Sequence, residues 1–132
     1  MKTRMSLVVC LLSILSVASA FGQTAPVLGR MTAQEKFMVK DKQMPAGSYE
    51  FVRPGADTRR LVLRNRDTGR SINLDVVERL ARHGSSDSTG RVIFNSVGNQ
   101  KTLSEFWPSG NDEGYLLGTT KKEHEHEIVN VE

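Results

Sequence analysis

The amino-acid sequence predicts an all-β protein, an antiparallel meander that either closes as a small barrel or packs as a two-sheet sandwich. Three observations carry that expectation. From Glu35 onward, short apolar runs alternate with turn residues at roughly eight- to twelve-residue intervals, the spacing of a meander rather than of βαβ units. Within the runs, apolar side chains recur at every second position: Tyr49 with Phe51, Leu61 with Leu63, and Ile72 with Leu74 and Val76, so each set lines one face of a strand. The joints carry turn chemistry, at Pro45-Ala46-Gly47, Pro54-Gly55, Arg66-Asp67-Thr68-Gly69, Gly98-Asn99 and Pro108-Ser109-Gly110-Asn111.

Taken from the N-terminus, residues 1–20 have the three parts of a secretory signal: the basic Lys2 and Arg4, an apolar run from Leu7, and Ala18-Ser19-Ala20 as a cleavage site. A membrane anchor would need about 20 consecutive apolar residues, and the run ends too early for that. Cleavage removes the only cysteine, Cys10, so the remaining 112 residues have to fold as one domain without disulfides. Cys10 lies in the middle of the apolar run rather than at its end, which argues for a soluble exported protein rather than a lipid-anchored one. Residues 21–34 lack an apolar period and read as a flexible leader. The β domain is expected over 35–122, with strands near 36–41, 48–53, 59–65, 71–78, 90–97, 101–107 and 114–119. A charged C-terminal segment follows over 123–132, with a further extended piece near 126–131.

One element has two readings. Residues 71–84, SINLDVVERLARHG, follow a hairpin turn, which favours a strand over 71–78. The same stretch places Leu74, Val77 and Leu80 on one helical side, with Asp75/Arg79 and Glu78/Arg82 as i,i+4 pairs, so a short helix near 74–83 is the alternative.

Charge narrows the partners. Removing Lys2 and Arg4 leaves 16 basic and 15 acidic side chains, a net +1, so nucleic acid is not expected. The charges are segregated: residues 53–91 hold nine arginines against five acids, and residues 105–132 hold seven acids against two lysines. Mutual neutralisation within the fold is the expected use of that asymmetry, with an anion-binding face as the alternative. Eight membrane-spanning strands of about 9–11 residues plus turns would leave no slack in the mature chain, and aromatic girdles are missing. No transmembrane segment is expected once the signal is removed.

Three places could carry chemistry. In Glu123-His124-Glu125-His126-Glu127, an extended backbone would turn both histidines to one face, a geometry used in zinc sites. Two ligands do not complete a site, and the further candidates are His83, Asp112 and Glu113; the plainer reading is a solvated charged tail. In the hairpin RVIFNSVGNQKTLSEFWPSG, a two-residue turn at Gly98-Asn99 pairs Val97 with Gln100, Phe94 with Leu103 and Val92 with Glu105. Glu105 then sits among apolar neighbours with Trp107 next along, and either reaches solvent or pairs with an arginine such as Arg60 or Arg64. Ser85, Ser86, Asp87 and Ser88 beside His83 suggest a hydrolase triad, but adjacent residues in a Gly/Ser loop cannot hold triad geometry. There is no G-x-S-x-G, no phosphate-cradling glycine loop and no cysteine pair.

Met44-Pro45-Ala46-Gly47-Ser48-Tyr49-Glu50-Phe51, with Leu103-Ser104-Glu105-Phe106-Trp107 and Gly114-Tyr115-Leu116, resembles a group of small exported bacterial proteins. These carry a signal peptide, a PAG-x-Y turn and strand, a hairpin ending LSE-x-W, and a charged tail. The likeness spans roughly residues 36–123 and implies export and a β fold; no activity comes with it. The chain departs from the pattern in having Leu117-Gly118 after Leu116 in place of a Leu-Pro step, and the paired histidines are not part of it. The motif has a physical reading: Pro45 fixes the approach, Gly47 permits the turn, and Tyr49 and Phe51 enter the core together.

The function expected from the sequence is therefore a non-enzymatic binding or interaction protein, periplasmic or secreted, needing no cofactor and engaging a small ligand or an envelope protein. The alternative is a metal-binding protein or metal-dependent enzyme built on His124 and His126. An apolar cavity of about 300 Å³ or more inside the fold would mark a ligand carrier, and a filled core an interaction module.

Overall fold

The computed structural model describes residues 25–55, 59–81 and 89–132. Residues 1–20, where a signal is expected, with Cys10, the first part of the expected leader, and His83 with Ser85, Ser86, Asp87 and Ser88 lie outside the described residues. Among the described residues all regular structure is extended, in eleven strands: β1 (Val27–Ala33), β2 (Phe37–Val39), β3 (Lys42–Met44), β4 (Gly47–Val52), β5 (Arg60–Asn65), β6 (Ser71–Asp75), β7 (Glu78–Ala81), β8 (Gly90–Val97), β9 (Gln100–Trp107), β10 (Glu113–Leu116) and β11 (Glu125–Val131). They form two sheets, β1-β4-β5-β6 and β11-β8-β9-β10-β7, with the β2/β3 hairpin joined to β9 through a parallel contact at Met38 and Thr102. The sheets pack as a sandwich and do not close into a barrel. Among the described residues no helix is long and apolar enough to cross a membrane.

Alternation builds the core. Tyr49 and Phe51 of β4, Leu61 and Leu63 of β5, Leu74 of β6, Val92 of β8, Leu103 and Phe106 of β9 and Tyr115 of β10 are the large side chains most completely removed from water. At the centre Phe51 from one sheet stacks on Phe106 from the other, ring centroids 3.9 Å apart and planes 6° from parallel. Phe37 meets Tyr49 and Phe94 edge-on at 5.2 and 5.3 Å, so the β2/β3 hairpin plugs one end of the sandwich. Each aromatic ring buries on the order of 150–250 Å², and together these rings fill the space between the sheets.

Five expectations need correction. The alternative helix near 74–83 does not form over its described part: Ser71–Asp75 and Glu78–Ala81 are strands in different sheets. The turn before it decides this, because the Asn65 side chain accepts N–H bonds from Asp67 and Thr68 while Gly69 takes a positive φ of 75°. That turn delivers Ser71 directly opposite Arg64. Against sheet pairing, helical i,i+4 charge pairs worth about 0.2–0.5 kcal/mol each do not compete. The expected single strand over 71–78 is also broken, at Val76 and Val77, where the chain crosses from one sheet to the other.

The leader expected over 21–34 is not loose where it is described. Val27–Ala33 pairs antiparallel with β4, burying Met31 and Ala33. Gly29 hides this strand from the sequence because it occupies an inward position where an apolar residue would reveal the period. A Cβ there would lie 2.5 Å from Val131 Cγ1 and 3.1 Å from the Phe106 ring, so only glycine lets β1 approach. The C-terminal segment expected outside the β domain is likewise part of it: β11 pairs with β8 from Glu125↔Ser96 to Val131↔Gly90, and Val131 is buried. Finally, the strand expected over 36–41 is the hairpin β2/β3, turned at Lys40, which takes a positive φ of 53°.

The sheets touch at two corners. At one, Val76 N–H donates to the Arg59 carbonyl and Val77 N–H to that of Leu116. At the other, Arg30 and Glu132 exchange backbone hydrogen bonds, both at 3.0 Å.

Candidate functional site

The PAG-x-Y segment is a structural device. The Tyr49 hydroxyl donates to the Pro45 carbonyl at 2.5 Å, tying the strand to the turn before it. A Cβ on Gly47 would lie 2.9 Å from Asp67 Oδ2, and that carboxylate accepts the Ser48 N–H at 3.2 Å. Glycine therefore makes room for the side chain that ties the β4 start to the β5–β6 turn. Burial pushes the Tyr49 hydroxyl above its ordinary pKa, a hydrogen bond with Asn65 opposes the shift, and the nearby Asp67 charge adds to it.

The β8/β9 hairpin begins as expected, with Val97 opposite Gln100 and Phe94 opposite Leu103. It then slips: the register shifts between Ile93 and Phe94, so Ile93 faces Glu105 and Val92 faces Phe106. The expected Val92–Glu105 pairing is replaced, and Glu105 lies on the opposite face from the core. The cause is a bulge at Ser104, whose carbonyl accepts N–H bonds from Leu117 at 2.7 Å and Gly118 at 3.2 Å while its hydroxyl donates to the Gly118 carbonyl at 3.1 Å. Glu105 is half-buried, and its Oε2 accepts from Trp107 Nε1 at 3.4 Å. Trp107 lies flat over Gly114, where a Cβ would come within 2.4 Å of Cδ2, and the Arg91 guanidinium sits 5.6 Å from its ring. Glu105 and Trp107 thus form one side-chain layer on the outer surface of the larger sheet.

Of the arginines expected near Glu105, Arg64 pairs instead with Glu50. Glu50 is the buried carboxylate of the smaller sheet, 8% exposed. Arg64 Nε donates to its Oε1 at 2.6 Å, a second guanidinium nitrogen of Arg64 reaches the same oxygen, and Arg30 Nε stands 3.7 Å from Oε2. Arg30, Glu50 and Arg64 are cross-strand neighbours on β1, β4 and β5. This row gives the arginine-rich middle of the chain a structural use. Sequence reading misses it, because strict alternation after Tyr49 and Phe51 assigns Glu50 to solvent.

His124 and His126 do come together, rings edge-on with centroids 4.9 Å apart. His124 Nδ1 is 2.8 Å from the Lys122 carbonyl, which leaves Nε2 as its free ring nitrogen. Among the described residues no group of three or more His, Cys, Asp or Glu is placed to hold a metal. Of the other candidate ligands, Glu113 is paired with Arg79, Asp112 is exposed at the turn before it, and His83 is outside the described residues. Two imidazoles make half of a tetrahedral zinc set.

A different arrangement emerges where β1 and β11 part. Beyond the Arg30/Glu132 pair the two strands separate around a cleft of about 300 Å³, floored by Phe37, Phe94 and Val129 and flanked by Thr32 and Ala33. Lys101 stands at its end, 2.6 Å from Glu127 and 2.9 Å from Glu35. Those bonds, Glu127 first and then Glu35, hold the Lys101 ammonium above the usual lysine pKa.

Backbone alternation determines which main-chain groups face this cleft. In an antiparallel ladder, successive residues point their N–H and C=O groups alternately to one neighbour and the other. Glu132 directs both groups to Arg30, so Asn130, Ile128 and His126 direct theirs away from β8, and Thr32 directs its own away from β4. Among the described residues no backbone bond meets these groups. No sequence signal marks this edge, because β1 itself is hidden by Gly29. Set against known proteins, the chain matches no family model, no curated protein and no solved structure.

Proposed function

We propose that the protein is an exported, non-enzymatic interaction module of the bacterial cell envelope, working through its surface rather than through an internal ligand. The observation that carries this reading is the filled interior: the Phe51–Phe106 stack at 3.9 Å occupies the place where a carrier would keep its cavity. The titratable groups add to it. Glu50 with Arg30 and Arg64, Arg79 with Glu113, and Lys101 with Glu35 and Glu127 are committed to ion pairs, and none of these sets pairs a nucleophile with a base. Export rests on the signal-like first twenty residues and on the resemblance described above.

The test joins location to contact. Full-length protein expressed in a Gram-negative host should be recovered outside the cytoplasm with Phe21 as its first residue. Photo-crosslinking side chains placed one at a time at exposed positions such as Arg66, Val77 and Ile128 should give discrete adducts from at least one surface of the exported protein. Unprocessed protein retained in the cytoplasm, or exported protein that forms no adduct from any surface, would overturn the proposal.

A further inference from the structure

We infer that the cleft between β1 and β11 is a docking slot for an extended, basic peptide segment, which adds to the free edge of β11 as another strand. The inference rests on the interaction-module reading and names its surface and its partner.

Three features converge there. The first is main-chain capacity. His126, Ile128 and Asn130 present N–H and C=O groups on the side away from β8, and an added strand satisfies such groups in the way that gives β-augmentation its affinity. The second is an apolar floor, because strand addition gains specificity when alternate side chains of the guest find a surface. Guest side chains on the inner face would meet Phe37, Phe94 and Val129, and those on the outer face would lie beside Ile128, which is 58% exposed.

The third feature is charge, and it decides between occupants. Glu125–Val131 and Glu132 carry three side-chain carboxylates and no lysine or arginine, and Glu35 and Glu127 line the cleft with Lys101 as the only lysine or arginine among the described residues that line it. A second copy pairing through β11 would set these acids against their own kind, which is destabilising in cross-strand neighbours. Acidic side chains on an edge strand are themselves a device against self-pairing. A guest whose inner face carries a lysine or arginine at one end and apolar side chains beyond it meets the opposite condition: its cation faces Glu125, its apolar side chains cover the floor beside Val129, and its backbone completes the edge. The reciprocal pair Arg30/Glu132 closes one end of the slot, so the guest enters from the end near Lys101 and Glu35.

The test uses a short capped peptide with threonine at every second position and, on its other face, lysine at one end and valine at the other, titrated into isotope-labelled purified protein and followed by backbone amide spectra. Shifts should concentrate at Thr32, His126, Ile128 and Asn130, and exchange of those amides with solvent should slow. The same peptide with glutamate in place of lysine should leave them unmoved. Ile128→Pro removes an outward N–H without touching the β8 ladder, and it should weaken binding roughly tenfold or more. Should that variant fold poorly, Glu125→Lys at an exposed position serves instead: it should weaken the lysine peptide and admit the glutamate one. Shifts that map elsewhere, equal binding of both peptides, or no binding at all would overturn the slot. In that event, crosslinked adducts from another surface would leave the interaction-module reading standing, whereas their absence from every surface would remove that reading too.

Discussion

At the β6/β7 corner the chain itself passes from one sheet to the other, and at the β1/β11 corner two strands from opposite ends of the sequence meet in a single exchange of backbone hydrogen bonds. The first corner is nearly self-sufficient: Val76 and Val77 are consecutive residues and their amides are satisfied within the fold. The second is non-local, and it depends on Gly29 for approach and on Glu132 for its bonds. A covalent corner leaves little backbone for a partner. A corner made by association can stop after one pair, and the unpaired remainder of both strands is then exposed as an edge.

The comparison can be broken most severely at Gly29. In Gly29→Val the new side chain would have to displace Val131 and the Phe106 ring, and overpacking of this kind costs about 1–3 kcal/mol. The urea midpoint should fall accordingly. Deleting Glu132 removes both bonds of the reciprocal pair, at about 0.5–1.5 kcal/mol each net of exchange with water. The loss should appear in the urea midpoint together with faster amide exchange at Arg30 and unchanged exchange at Val76.

An alkaline titration sharpens the same contrast. Lys101 is held above its ordinary value by Glu127 and Glu35, so its contribution to stability is complete below the unfolded pKa of about 10.4. It is lost as pH rises through the higher native value. Urea midpoints should drop across that alkaline window in the parent protein and change less in Lys101→Met. Val77→Ser at the covalent corner should have the smallest effect, within about 0.5 kcal/mol, because the side chain is 61% exposed and the backbone bond to Leu116 is kept.

What the sequence reveals follows the range of the interactions involved. Strands β4, β5, β8 and β9 are legible because period-two apolar residues and turn residues are local signals, and the Gly98-Asn99 hairpin is correct through Phe94↔Leu103. Beyond that point the register depends on Ser104 bonding to Leu117 and Gly118, a contact that no property of the hairpin announces. The inward Gly29 breaks a pattern that Met31 and Ala33 otherwise complete. Glu50 departs from alternation because Arg30 and Arg64 cover it from neighbouring strands. The candidate slot is the least legible feature, since it needs β1, hidden by Gly29, to meet β11, an extended piece that the sequence predicts but assigns to a charged segment outside the β domain.

The most direct measurement is residue-resolved amide exchange along β11. The account predicts alternation: Glu127, Val129 and Val131, bonded to β8, exchange slowly, while His126, Ile128 and Asn130 exchange quickly. Uniformly fast exchange across these residues would restore a solvated tail, and uniformly slow exchange would mean that the edge is already paired; either would contradict the account.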